Sequence, residues 1–89
     1  MGRTSREKPA RLAEKLVQIR EALGLSQNEI LSRTGLTERH NRDDISKYER
    51  GVREPSLLVI LRYARAAGIS TDYLIDDDLD LPKKLLKGK

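Results

Sequence analysis

An all-α fold, a compact bundle of five short helices, is what the sequence predicts. Three observations predict it. Apolar residues recur at steps of three and four rather than two, the period of a helix face. Gly24, Gly35, Gly51 and Gly68 each close one such stretch, and capping residues open the next. No stretch carries a strand signal, and no internal repeat is present.

The first helix is marked after Pro9 by Leu12, Leu16, Ile19 and Leu23, and it closes at Gly24. Ser26-Gln-Asn-Glu29 reads as a capping box that opens a second helix, with Ile30 and Leu31 pointing inward. Gly35 ends that helix, and Leu36 is a buried residue of the following turn. The third helix must hold Ile45 and Tyr48 and stop at Gly51. Ser56 caps a fourth, which Leu57, Leu58, Ile60, Leu61 and Ala64 make the most apolar of the set. Ser70 or Thr71 caps a short fifth helix with Tyr73, Leu74 and Ile75. The domain is expected over 9–76, between a flexible basic arm at 1–8 and an acidic, then basic, tail at 77–89.

Composition excludes several functions. The absence of Cys removes disulfides, thiolate metal sites and a Cys nucleophile, and a single His removes a His-rich zinc site. No metal and no cofactor is expected. No apolar run has membrane length, and the N-terminal stretch lacks the apolar core of a signal peptide, so a cytoplasmic protein of bacterial or phage-like context is expected. The net charge of +4 is unevenly spread: residues 1–70 carry +5, residues 71–80 carry −5 through five Asp, and residues 81–89 carry +4. A basic body beside an acidic patch suits a polyanion that meets one face.

The run LVQIREALGLSQNEILSRTGL, followed by ISKYERGVREPSLLVILRYARAAGISTDYL, resembles the lambda-repressor-like (Xre/Cro-type) helix-turn-helix family over roughly residues 10 to 76. The landmarks are residues 19–29, Gly35-Leu36, residues 45–51, Pro55-Ser56 and residues 64–70, all in the family's order. The resemblance implies a helix-turn-helix at helices 2 and 3, with the third helix lying in the major groove. It implies a largely buried ion pair between Arg20 and Glu49, and a core that holds Ile45, Leu61 and Leu74. The family places a small residue where this chain has Leu31, so a wider crossing of the two motif helices is expected.

The chain departs from the family between Gly35 and Ile45, where about four extra residues stand. Two arrangements fit. In one, Thr37 caps a recognition helix over 38–50, one turn longer, and Glu38, Arg39, Arg42 and Asn41 face the groove. In the other, a longer loop precedes a helix capped by Asn41, with Arg42-Asp43-Asp44 as its first turn. The preference of Asn for caps and of Asp for helix N-termini favours the second.

Counting back from Ile45, the base-reading positions that the resemblance implies are Arg42, Asp43 and Lys47, with Arg39 joining them in the longer-helix arrangement. Arg42 suits guanine O6 and N7; Asp43 suits cytosine N4 but is repelled by phosphate. Phosphate contacts are implied for Gln27, Asn41, Ser46, Arg50 and Arg53. Arg3, Arg6, Lys8 and Arg11 form a basic arm that fits a phosphate strand or the minor groove. His40, in the insert, reads as a polar loop residue rather than a pH switch.

The resulting expectation is a sequence-specific, double-stranded-DNA-binding regulator of repressor type, a homodimer on a palindromic operator, and not an enzyme. Within 89 residues there is no sensor domain, so control by its own concentration or by a partner is expected. The alternative is a protein-interaction module, or an antitoxin-type protein with a toxin or co-regulator as partner. Asp43, Asp44 and the insert support that alternative. Asp76-Asp-Asp78 with Asp80 has carboxylates for a hard cation but lacks the glycine and glutamate of an EF-hand loop. The tail leucines Leu79, Leu81, Leu85 and Leu86, or the fifth helix, are expected to supply dimer contacts.

Overall fold

The computed structural model describes residues 8–85. The helices are α1 (Leu12–Ala22), α2 (Gln27–Arg33), α3 (Arg42–Glu49), α4 (Leu57–Ala67) and α5 (Asp72–Ile75), with no strand among the described residues. The all-α, five-helix expectation holds. Arg3, Arg6 and Leu86 lie outside the described residues.

Local chemistry sets the helix ends. Ser26 and Glu29 complete the expected capping box on α2: the Ser26 hydroxyl accepts from the Glu29 amide, and the Glu29 carboxylate accepts from the Ser26 amide. Ser56 Oγ accepts from the Val59 amide at the start of α4. Gly68 ends α4 in the left-handed conformation, at φ 72°, which a side chain disfavours. At α5, Thr71 holds the cap position without a side-chain bond, and the Ser70 hydroxyl instead accepts from the Asp72 amide.

The core is one cluster in which Leu16, Ile19, Ile30, Ile45, Val59, Tyr63 and Leu74 are almost sealed from solvent. Leu31 and Leu36 join it, as expected. Helix α4 differs from the expectation. Its inward face is Val59, Ile60, Tyr63, Ala64 and Ala67, Leu61 is only half-buried, and Leu57 and Leu58 remain 82% and 67% exposed. The reason is rotational. Five consecutive apolar residues at 57–61 cannot all share one face at 3.6 residues per turn. The bulk of Tyr63 and the closely fitting alanines decide which face is buried.

Lys15 is fully buried on the same face of α1 as Leu12, Leu16 and Ile19. Its ammonium donates to the carbonyls of Tyr73, Asp76 and Leu79 at 2.8, 2.9 and 2.7 Å, which matches its three donors with three acceptors. The acidic run completes the same clasp. Helix α1 has no side-chain cap of its own, and the Asp77 carboxylate accepts from the amides of Ala10 and Arg11 at 2.8 and 3.0 Å. Arg11 pairs with Asp80 at 3.0 Å and donates to the Asp77 carbonyl. Arg11 is therefore bound to the acidic run rather than extended as part of a basic arm. Leu81 and Leu85 pack against the core of their own chain.

Candidate nucleic-acid interface

The insert forms a loop, and α3 begins at Arg42. Residues 37–39 make a turn in which the Leu36 carbonyl accepts from the amides of Arg39 and His40. Asn41 then caps α3 in a reciprocal box: its side chain accepts from the Asp44 amide, and the Asp44 carboxylate accepts from the Asn41 amide, both at 3.0 Å. The loop is packed rather than loose. His40 is half-buried, its ring centre 6.2 Å from that of Tyr48, and its Nδ1 is buried without a partner among the described residues.

Ile45 and Tyr48 turn one side of α3 into the core. The opposite side carries Asp43, exposed, and Lys47, half-buried, while Arg42, also exposed, stands in the first turn at the margin of that side, one turn before Ile45. The side chains of Arg42 and Arg39 make no hydrogen bond or ion pair with another described residue. Asp43 and Lys47 pair across one turn at 3.1 Å. The bond to the Lys47 ammonium, and then its charge, hold the Asp43 carboxyl below the ordinary carboxylate range. Asp44 is committed elsewhere: beyond the capping box it accepts from Arg53 Nη1 at 2.9 Å. Two adjacent acids thus do different work, Asp43 outward and Asp44 in the framework.

Ser46 Oγ accepts from Arg50 Nε at 3.1 Å, and Arg50 and Arg53 are exposed past the end of α3. Gln27, at the first turn of α2, donates from Nε2 to Glu49 Oε1 at 3.1 Å. Glu49 in turn takes two bonds from Arg20, at 2.7 and 3.1 Å, and its side chain is only 5% exposed. Arg20 also donates to the Leu25 carbonyl. The Glu49 bond raises the Arg20 pKa above its already high ordinary value. One connected set therefore fixes α1, the α1–α2 turn, the start of α2 and the end of α3.

Two positioning residues were not legible as such in the sequence. Arg62, on α4, donates to the carbonyls of Thr34 and Gly35 at 2.9 and 3.3 Å and so holds the end of α2. A side chain at Gly35, where φ is 72°, would meet that guanidinium at 2.9 Å. Lys15 had a visible signal: a lysine three residues after Leu12 and four before Ile19 stands inside an apolar stripe. Arg62 had none, because its acceptors lie in the turn that follows another helix, 27 and 28 positions away. Among the described residues, no group of three or more His, Cys, Asp or Glu is arranged to hold a metal ion, and no helix is long and apolar enough to cross a membrane.

Two consecutive short helices, a packed connection over 34–41, and an outward polar face on the second define the class: a helix-turn-helix protein. The family model of the helix-turn-helix domain matches residues 13–77, and the chain belongs to that family, which is of the lambda-repressor type. No curated protein sequence matches the chain. Membership points to DNA binding and to transcription regulation.

Proposed function

We propose that the protein is a small, repressor-like regulator that binds double-stranded DNA in a sequence-specific way, acts in the cytoplasm, and works as a homodimer on a palindromic operator. The observation that carries this reading is the outward face of α3. Asp43 and Lys47 stand there opposite Ile45 and Tyr48, with Arg42 exposed in the first turn at its margin and Arg50 and Arg53 exposed past the end of the helix. A helix of this kind enters the major groove by its N-terminal residues while flanking groups grip the backbone.

Arg42 and Lys47 are the donors for base edges, and Asp43 is the acceptor. Arg50 and Arg53 serve phosphates, with Ser46 beside Arg50. Gln27 keeps a second amide hydrogen for a phosphate while Glu49 holds the first. Asn41 contributes chiefly through its cap, and Arg39 stands exposed in the loop before it. Self-association is supported by Val52, Leu57 and Leu58. These apolar residues are 65%, 82% and 67% exposed and follow the DNA face on the α3–α4 connection and the first turn of α4.

The test is selection from a random duplex pool at fixed salt. The expected product is a two-fold-symmetric site with half-sites about ten base pairs apart. Arg42→Ala with Lys47→Ala should lower affinity for that site by tenfold or more, since a good base contact is worth about 1–3 kcal/mol. Unchanged affinity would mean that α3 does not read DNA.

A further inference from the structure

We propose that Asp43 and Lys47 act together as one reading unit for a C·G base pair, with Asp43 on cytosine and Lys47 on guanine. This rests on the reading of α3 as the helix that enters the major groove.

The geometry begins with which acid is available. Asp44 has one carboxylate oxygen on the Asn41 amide and the other on Arg53, and its side chain is 18% exposed. The Asp43 side chain is 66% exposed, and its partner is Lys47 at 3.1 Å on the same outward face. The outward face therefore offers an acceptor and a donor side by side.

A base pair presents the complementary order. In the major groove, C·G shows the cytosine N4 donor beside the guanine O6 acceptor, with guanine N7 as a further acceptor beyond it. N4 and O6 are themselves hydrogen-bonded, so they stand about 2.9 Å apart. A carboxylate and an ammonium at 3.1 Å can lie over them in register, the carboxylate on N4 and the ammonium shared between O6 and N7. An A·T pair also places a donor beside an acceptor, N6 beside O4, but its flanks are wrong. Adenine N7 would face the second carboxylate oxygen, two acceptors opposed. The thymine methyl would crowd the ammonium and give it no second acceptor. Guanine or thymine beneath Asp43 would offer it only acceptors.

The pair also removes the objection to an acid on a DNA-reading helix. Lys47 neutralises Asp43 locally, so the unit approaches the phosphate backbone with no net charge. It also keeps the Asp43 carboxyl ionised and hence purely an acceptor.

The test compares the wild type with Asp43→Asn in selection from a random duplex pool, followed by affinity for the recovered site. The wild type should recover one C·G pair at a fixed place in each half-site. Exchanging that pair for A·T should weaken binding about tenfold, the scale of one good base contact. Asp43→Asn should recover A·T there, because an amide bonds adenine N6 and N7 together. The rest of the site should stay unchanged. Asp43→Ala should reduce the tenfold preference to what Lys47 alone draws from guanine, without creating a preference for A·T. A recovered site with no fixed C·G pair, or one whose preference survives both substitutions undiminished, overturns the inference while leaving DNA reading intact. Recovery of no site by any of the proteins overturns DNA reading and this inference with it.

Discussion

Lys15→Met replaces a fully buried ammonium with an apolar side chain of similar length. The ammonium makes three bonds of 2.7–2.9 Å to carbonyls at 73, 76 and 79. A hydrogen bond with one charged partner contributes about 1.5–3 kcal/mol net, so the three together represent about 4.5–9 kcal/mol. Two effects reduce the observed loss. Methionine no longer has a charge to desolvate, which returns several kcal/mol. The stranded carbonyls are part-buried, so water can reach them after a small movement. The expected net loss is about 3 kcal/mol. A domain of this size has about 4–13 kcal/mol in total, so the loss is a large share of it. Urea unfolding should show it as a midpoint lower by about 2 M, with a slope of about 1.5 kcal/mol per M. The loss should also be local at first. The acceptors lie at and beyond α5, so amide exchange should rise at 72–81 more than in α2 and α3. A loss under 1 kcal/mol, or exchange that rises evenly through the chain, would refute the view that Lys15 clamps α5 and the acidic run onto α1.

Glu49→Gln leaves Arg20 without its carboxylate in a mostly buried setting and should cost about 3 kcal/mol in chemical denaturation, whereas a cost under 1 kcal/mol would mark the pair as dispensable. Tyr63→Phe should raise stability by about 1 kcal/mol, because the buried hydroxyl has no partner among the described residues; a loss of more than 1 kcal/mol would reveal a partner. Burial also pushes the Tyr63 phenol up, so it should not ionise in a spectroscopic titration until the protein unfolds. The amides of Ala10 and Arg11 hold the Asp77 carboxyl below its ordinary value. Its folded pKa is the lower one, so its contribution is present above the unfolded value of about 3.9 and is lost as pH falls through the folded value. Asp77→Asn should therefore flatten stability against pH below about pH 4; an unchanged acid limb would place the acid sensitivity elsewhere.

Much of the architecture was legible residue by residue. The Ser26 box, the Ser56 cap and the glycine stops depend on neighbours within four positions, and all appear where the sequence puts them. The Asn41 cap was one of two readings. It became the observed one because Asn41 and Asp44 satisfy each other's amides, an advantage the longer helix would forgo. The buried face of α4 was less legible. A continuous apolar run has no preferred side until a partner surface exists, so Leu61, expected in the core, is only half-buried, and Leu57 and Leu58 stay exposed. The acidic run at 76–80 offered carboxylates for a hard cation without the glycine and glutamate of an EF-hand loop. Its partners, Ala10, Arg11 and Lys15, are more than 60 positions away, beyond any spacing rule.

By itself the sequence determined the all-α class, the helix-turn-helix register and the side of α3 that faces away from the core. These follow from short-range periodicity and capping, which act before any tertiary contact forms. Tertiary structure alone decided which of two adjacent aspartates is free to meet a ligand. Arg53 and the capped turn claim Asp44, and Asp43 is left outward with Lys47. It also decided that a lysine in an apolar stripe would be buried, because three carbonyls converge where α5 and the following turn meet α1. A buried charge is tolerable only where the fold delivers its partners, and those partners come from the far end of the chain.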